Sequence, residues 1–129
     1  MTISPNIHIE TQTFYVDGQS QPEQDKYVFA YTIQIHNQSD QTVQLLRRHW
    51  LISDANGQEV EVDGEGVVGE KPTLAPDEQY SYTSGAVLET PVGTMQGHYV
   101  MKTMLHTDEP HEFQVDIPLF RLAMPNILN

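Results

Sequence analysis

The stretch DKYVFAYTIQIHN, residues 25–37, determines the fold class of this chain. Apolar and aromatic side chains occupy every second position from Tyr27 to Ile35, with mostly polar side chains between them. Successive side chains of a strand point to opposite faces of a sheet, so this period of two predicts a strand with one face on a core. The segment HEFQVDIPL, residues 111–119, has the same pattern and predicts a second such strand with Leu119 on its buried face.

Five further segments are rich in β-branched and aromatic residues and predict strands of the same kind. They are residues 7–15, 43–53, 58–62, 79–87 and 95–105. Turn sequences such as Asn56-Gly57 separate them, and no long window has the helical period of 3.6 residues. Seven short strands in 129 residues predict one all-β domain over residues 1–129, an antiparallel β-sandwich of the immunoglobulin or fibronectin type III-like kind.

The third predicted strand lies in TVQLLRRHWLISD, residues 42–54, and it breaks the alternation. Val43 and Leu45 share one parity, whereas Trp50 and Ile52 share the other. A single extra residue in a strand moves every later side chain to the opposite face, so the break predicts a β-bulge near Arg47-Arg48.

The charge of the chain is strongly acidic, with 6 Lys and Arg against 18 Asp and Glu and a formal net charge of −12. Nucleic-acid binding draws its affinity from a dense basic surface that releases counterions, and anionic membranes need the same kind of surface. We therefore expect neither nucleic acid nor membrane as a partner.

The chain has no cysteine, which excludes disulfides and thiolate metal sites and suits a reducing compartment. The N-terminal stretch MTISPNIHIE has neither a basic start nor an apolar run, so no signal peptide is predicted. No segment approaches the length of about 18 apolar residues that a spanning helix needs. These features predict a cytoplasmic protein.

The segment VDGEGVVGEKP, residues 62–72, places Gly64, Gly66 and Gly69 at the G-x-G-x-x-G spacing of dinucleotide-binding sites. That mechanism needs a buried parallel strand before the glycines and a helix after them. Here the preceding residues are acidic, and Pro72 and Pro76 follow where the helix would run. The motif is therefore interpreted as a turn whose glycines supply positive φ angles or allow close backbone approach.

Two functional interpretations of the same loop remain open. Its backbone N–H groups can form an anion-binding nest without a helix, with Arg47, Arg48 or Lys71 adding positive charge. Alternatively, the loop contacts another protein.

Histidines and hydroxyls offer only weak candidates for metal binding or catalysis. His106, Asp108 and His111 flank a predicted turn that can bring two imidazoles and a carboxylate together. Exposed polar turns commonly contain such residues, so we expect no metal site and no cofactor. The available serines lie in no G-x-S-x-G motif, and we expect no catalytic residues.

A set of motifs in order over residues 47–101 resembles the ApaG family. They are Arg48-x-Trp50-x-Ile52-x-Asp54, the Gly64–Gly69 loop, Tyr82-Thr83-Ser84-Gly85, and Gly93-x-Met95-x-Gly97-x-Tyr99. One departure is Pro76-Asp77, where the family usually has Pro-Gly. The resemblance implies a fibronectin type III-like sandwich in a stand-alone bacterial protein.

About activity the resemblance implies little. The family is associated genetically with diadenosine tetraphosphate metabolism and with cobalt and magnesium tolerance, and neither association is a biochemical assignment. Similar domains are joined to F-box proteins and to a DNA polymerase-interacting protein in eukaryotes, which implies a protein-binding role.

We therefore expect a non-catalytic protein-interaction domain with an unidentified protein partner. Its candidate surface comprises residues of the glycine loop and the neighbouring strand: Gly64, Gly66, Gly69, Lys71, Arg47, Arg48 and His49. The alternative is a small-ligand binder that takes phosphate-bearing molecules or divalent cations at this loop. The apolar C-terminal segment, residues 120–129, predicts either closure of the sandwich or a homodimer contact.

Overall fold

The computed structural model describes residues 4–104 and 111–125. Within these ranges the chain forms strands and no α-helix, apart from two 3₁₀ turns at Asp17–Gln19 and Pro22–Gln24. The strands are β1 (Ile7–Tyr15), β2 (Tyr27–Asn37), β3 (Val43–Asp54), β4 (Glu59–Glu65), β5 (Thr73–Leu74), β6 (Gln79–Leu88), β7 (Val92–Thr103) and β8 (Glu112–Ala123). The predicted all-β class is confirmed. The seven predicted strands are all present, and the short β5 is additional.

Two antiparallel sheets pack face to face. One has the strand order β1-β2-β6, and the other has the order β4-β3-β7-β8 with β5 beside β3. Alternate residues of β2 from Phe29 to Ile35 are buried, as the period of two predicts. Tyr31, Trp50 and Phe120 meet between the sheets, where the Tyr31 and Trp50 ring centroids are 5.6 Å apart in an edge-on arrangement. The core of the sandwich therefore joins both sheets through aromatic contacts.

A register shift in β3 reconciles its two apolar halves. The pairing of β3 with β7 shifts between Leu45 and Arg47, one position before the predicted bulge. Val43 and Leu45 are buried before the shift, and Trp50 is buried after it. Because of this shift, Arg48 shares the inward face with Trp50, whereas Arg47 and His49 lie on the outer face of the five-stranded sheet.

A second register shift corrects the prediction for the last strand. The pairing of β7 with β8 shifts between Met95 and Gly97, so the inward face of β8 changes parity. Leu119, predicted to be buried, is 57% exposed, and Phe120 and Leu122 are buried instead. The described part of the apolar C-terminal segment therefore closes the sandwich, and residues 126–129 lie outside the described ranges.

None of the helical turns in residues 4–104 and 111–125 has the length and apolar character needed to cross a membrane.

Candidate functional site

The glycine loop is a tight hairpin that follows β4. Val67 and Glu70 exchange two backbone hydrogen bonds of 2.8 and 2.9 Å across the turn. The two residues between them, Val68 and Gly69, have φ angles of +48° and +79°. Positive φ at both central positions is the geometry of a type I′ turn, which favours Asn or Gly because other side chains are strained there. The predicted turn is present, and no helix follows it.

Gly66 and Gly64 differ in what the absence of a side chain allows. Gly66 has a φ of +64°, and a Cβ atom added there collides with the backbone carbonyl oxygen of Glu70. Gly64 lies within β4, and an added Cβ would be 2.7 Å from the guanidinium carbon of Arg48. The loop therefore contains both of the predicted glycine roles, positive φ and close approach.

Arg48 ties the loop to the body of the sandwich. Its guanidinium Nη1 donates hydrogen bonds to the carbonyl oxygens of Glu65 at 3.1 Å and Gly66 at 2.8 Å. The Gly66 N–H donates to the Leu46 carbonyl at 2.7 Å, and the Val67 side chain is fully buried in the core. The loop is held by its backbone on one side and by a buried valine on the other.

The other two cations of the predicted site do not converge on the loop amides. Arg47 donates to a carboxylate oxygen of Glu112 on β8 at 2.9 Å. Lys71 lies 3.4 Å from a carboxylate oxygen of Glu65. Each of these cations therefore has an acidic neighbour, and both pairs are solvent-exposed, where ion pairs contribute little stability.

His49 lies in a row of ionisable side chains across the outer face of the sheet. Its Nδ1 is 2.7 Å from a carboxylate oxygen of Asp63 on β4. On its other side, the imidazole stacks on that of His98, with centroids 5.2 Å apart and planes inclined by 26°. Sequence analysis did not connect His49 with His98, because the contact depends on the strand register that places them opposite each other.

A shallow concavity of about 290 Å³ lies over this row and Gly64. Its lining comprises Arg47, Arg48, His49, Asp63, Gly64, Glu65, His98 and Val100. Four predicted site residues therefore share one surface feature, while Gly66 is buried in the hairpin behind it. Both charge signs line the concavity, so it is not selective for anions by charge alone.

The buried side of the site contains a pair of tyrosine hydroxyls. Tyr82 and Tyr99 share a hydrogen bond between the sheets. Burial raises the pKa of both phenols well above the ordinary value, so both are neutral in the folded protein.

The weak metal candidates are only partly described. His106 and Asp108 lie outside the described residues. The backbone N–H of His111 donates to the Thr103 hydroxyl at 3.1 Å, and its carbonyl accepts from the Thr103 N–H at 2.9 Å. Across residues 4–104 and 111–125, no three His, Asp or Glu side chains are grouped so that they could hold a metal ion.

Comparison with known families gives one clear match. The model of the ApaG domain, also described as DUF525, matches residues 17–103. The chain belongs to the ApaG family. The protein ApaG of Sodalis glossinidius is 56% identical over 129 residues, and that of Escherichia coli K12 is 52% identical over 130 residues. Both alignments cover 100% of each chain.

Solved structures agree with this assignment to the ApaG family. The crystal structure of a protein described as ApaA from Bordetella pertussis superimposes with a TM-score of 0.88 at 43% identity. It covers 95% of this chain and 96% of that one. A second X-ray structure, a structural-genomics target, gives a TM-score of 0.86 at 48% identity and covers 95% of this chain and 89% of that one. The ApaG sandwich predicted from the motifs is therefore confirmed.

Proposed function

We propose that this ApaG protein is a non-catalytic protein-binding domain that contacts a partner through the tip of its glycine loop. The adjoining outer face of the sheet, around Arg47 and His49, completes the contact. The proposal places the protein in the cytoplasm with an unidentified protein partner and without nucleic acid, membrane or cofactor. Its negative net charge supports the exclusion of polyanionic partners.

The observation that carries the proposal is the residue at the loop tip. Val68 is β-branched, has a φ of +48° and is 62% exposed. A β-branched residue at positive φ costs stability, which Asn or Gly would not. Because most of the Val68 side chain is exposed, its burial contributes less stability, roughly 0.6 kcal/mol, than the positive φ costs. A strained residue that contributes so little to the fold is explained by a contact made outside it.

The rigidity of the loop supports the same role. Arg48 and the buried Val67 anchor the hairpin to the sandwich. A preorganised loop presents Val68 without the entropy cost of ordering a flexible segment on binding. Recognition by a rigid loop on a rigid scaffold is how many β-sandwich domains bind proteins.

The polarity of the loop favours this function over binding of a phosphate-bearing ligand. The N–H groups of Gly66 and Val67 donate to backbone carbonyls within the protein. Arg48 contacts carbonyl oxygens of the loop, so its charge is directed to its own backbone. A nest for an anion needs free N–H groups with cations beside them.

A bait comparison tests the proposal. Three forms of the protein are immobilised as baits: wild type, Val68→Asn and Leu119→Asn. Each is exposed to soluble extract from the source cells, and the proteins that it retains are quantified by mass spectrometry. Leu119 is a matched control because it is an exposed aliphatic residue on β8. We expect a protein that wild type and Leu119→Asn retain and Val68→Asn loses. Identical sets from all three baits would contradict a contact at the loop tip.

A ligand titration tests the alternative directly. Pyrophosphate and magnesium are added separately to ¹⁵N-labelled protein while amide shifts are recorded. The proposal expects no saturable shifts at millimolar ligand. Saturable shifts confined to residues 64–71 would replace it with a small-ligand site.

A further inference from the structure

The edge strand β6 has one partner and one open side. Its ten residues pair with β2 from Gln79 to Leu88 without a register shift. Among residues 4–104 and 111–125, no strand pairs with its other side. Alternate residues of an antiparallel edge strand direct their N–H and C=O groups away from the sheet. The open side of β6 is therefore a row of backbone donors and acceptors for another strand.

Nothing in the β6 sequence protects this edge. Natural edge strands carry charges, prolines or bulges that prevent another strand from pairing with them. The sequence QYSYTSGAVL has no charged residue and no proline, and its pairing is regular. By contrast, the edge strand β4, EVEVDGE, carries four acidic side chains. Of these two edge strands, which face each other across the sandwich, only β4 carries charges that disfavour an added strand.

An apolar groove lies beside the C-terminal half of β6, between β6 and β4. Ile52, Val60, Val87 and Leu88 line it, together with Asp54, Gln58 and Glu89, and its volume is about 170 Å³. Val60 and Val87 are 56% and 61% exposed. At the opposite end of β6, the Tyr80 hydroxyl donates to Glu70 of the glycine loop at 3.2 Å. The groove is therefore a surface separate from the loop tip.

The charges around the groove are of one sign. Asp54 and Glu89 are the two charged residues that line it. All six Lys and Arg residues lie within the described ranges, and none of them lines the groove. A second copy of this chain carries −12 and would bring acid against acid. A cationic partner is attracted instead.

We propose that residues 83–88 of β6 accept an added strand from a partner protein, an extended segment in which Lys or Arg alternates with Val, Ile or Leu. The backbone of the segment pairs with the open edge of β6. Its apolar side chains lie in the groove beside Val60 and Val87, and its cations are attracted by Asp54 and Glu89. This surface is independent of the contact proposed for Val68.

Three short peptides test the proposal on the full chain. The first is a capped heptapeptide that alternates Lys with Val. The second replaces Lys by Glu, and the third replaces Val by Pro, which keeps the charge but removes the N–H groups needed for a strand. Each is titrated into ¹⁵N-labelled protein. We expect saturable shifts at residues 83–88 and at Val60, with slowed amide exchange in β6, for the Lys-Val peptide alone.

Any other pattern overturns the proposal. Equal shifts with the Lys-Pro peptide mean that charge alone causes binding, and equal shifts with the Glu-Val peptide mean that charge has no role. Shifts mapped to β1 or β8, or no saturable shift at millimolar peptide, remove the β6 site.

Surface variants separate this site from the loop. Val87→Lys introduces a charge that protects the edge, and Glu89→Lys reverses a charge at the groove; both positions are exposed. We expect each to weaken Lys-Val binding by about tenfold or more, and we expect Val68→Asn to leave it unchanged. Unaltered binding by both lysine variants would refute the site, whereas a loss in Val68→Asn alone would assign peptide binding to the loop.

Discussion

Replacement of Val68 by Asn is expected to stabilise the protein, although it removes an apolar side chain. Val68 has a φ of +48°, and the left-handed region costs an ordinary residue about 1–2 kcal/mol. Asn tolerates this region because its short side chain bonds locally. Val68 is 62% exposed, so the lost burial is about a third of the value for a fully buried valine, roughly 0.6 kcal/mol.

The balance of these terms is a gain of about 0.5–1 kcal/mol in the free energy of unfolding. For a chain of this size, that gain corresponds to an increase of about 2–4 °C in Tm. Urea denaturation followed by tryptophan fluorescence measures it, since Trp50 is the only tryptophan and is buried in the core. The dependence on urea must have the same slope in both proteins for the comparison to hold.

Gly69→Ala is the matched control in the same turn. Gly69 has a φ of +79°, and an added Cβ would meet nothing within 4 Å. Its replacement therefore isolates backbone strain from packing, and we expect a loss of about 1 kcal/mol. A neutral or destabilising Val68→Asn beside a destabilising Gly69→Ala would refute the reasoning, because Val68 would then be stabilised by contacts within the fold.

Three further outcomes follow from the packing of the site. Gly66→Ala is expected to cost more than Gly69→Ala, about 3 kcal/mol, because it adds a collision with the Glu70 carbonyl to the strain at positive φ; urea denaturation of both variants gives the comparison. Gly97→Ala is expected to prevent folding or to change the far-ultraviolet circular dichroism spectrum, because its Cβ collides with the carbonyl of His49 across the β3–β7 pairing. The free energy of unfolding is expected to fall as pH rises above about 10, by up to about 1.4 kcal/mol per pH unit for each of Tyr82 and Tyr99. The pKa values of both phenols are raised in the folded protein, so only the unfolded chain releases these protons. Denaturation at a series of alkaline pH values measures the slope.

The fold was predictable wherever a local pattern reports burial. The alternation in residues 25–37 identifies β2 because the polarity of each side chain indicates which face of the strand it lies on. The parity break between Leu45 and Trp50 revealed the register shift for the same reason. Leu119 was wrongly predicted to be buried because the register shift in β8 is defined by its pairing with β7. The sequence of β8 alone does not show which strand it pairs with. The two-residue strand β5 is too short to carry any periodicity.

The candidate site was predictable as a set of residues but not as a set of contacts. The sequence brought Arg47, Arg48 and His49 close to the glycine loop. It could not assign Arg48 to loop carbonyls, because the choice between a carbonyl and an anion depends on the direction of the backbone. Val68 was overlooked for a related reason. A valine in a glycine-rich segment is unremarkable until the turn type shows that its φ is positive.

The direction of Arg48 explains how a phosphate-binding spacing can occur in a loop built for another purpose. In a dinucleotide site, glycines let an anion approach backbone N–H groups. Here Gly64 lets a cation approach, and the guanidinium meets the carbonyl oxygens of Glu65 and Gly66. The same glycine spacing therefore surrounds a cation bound by carbonyl oxygens instead of an anion bound by N–H groups. The N–H groups of Gly66 and Val67 are satisfied within the protein, and the exposed side chain of Val68 is the group that we propose the loop offers to a partner.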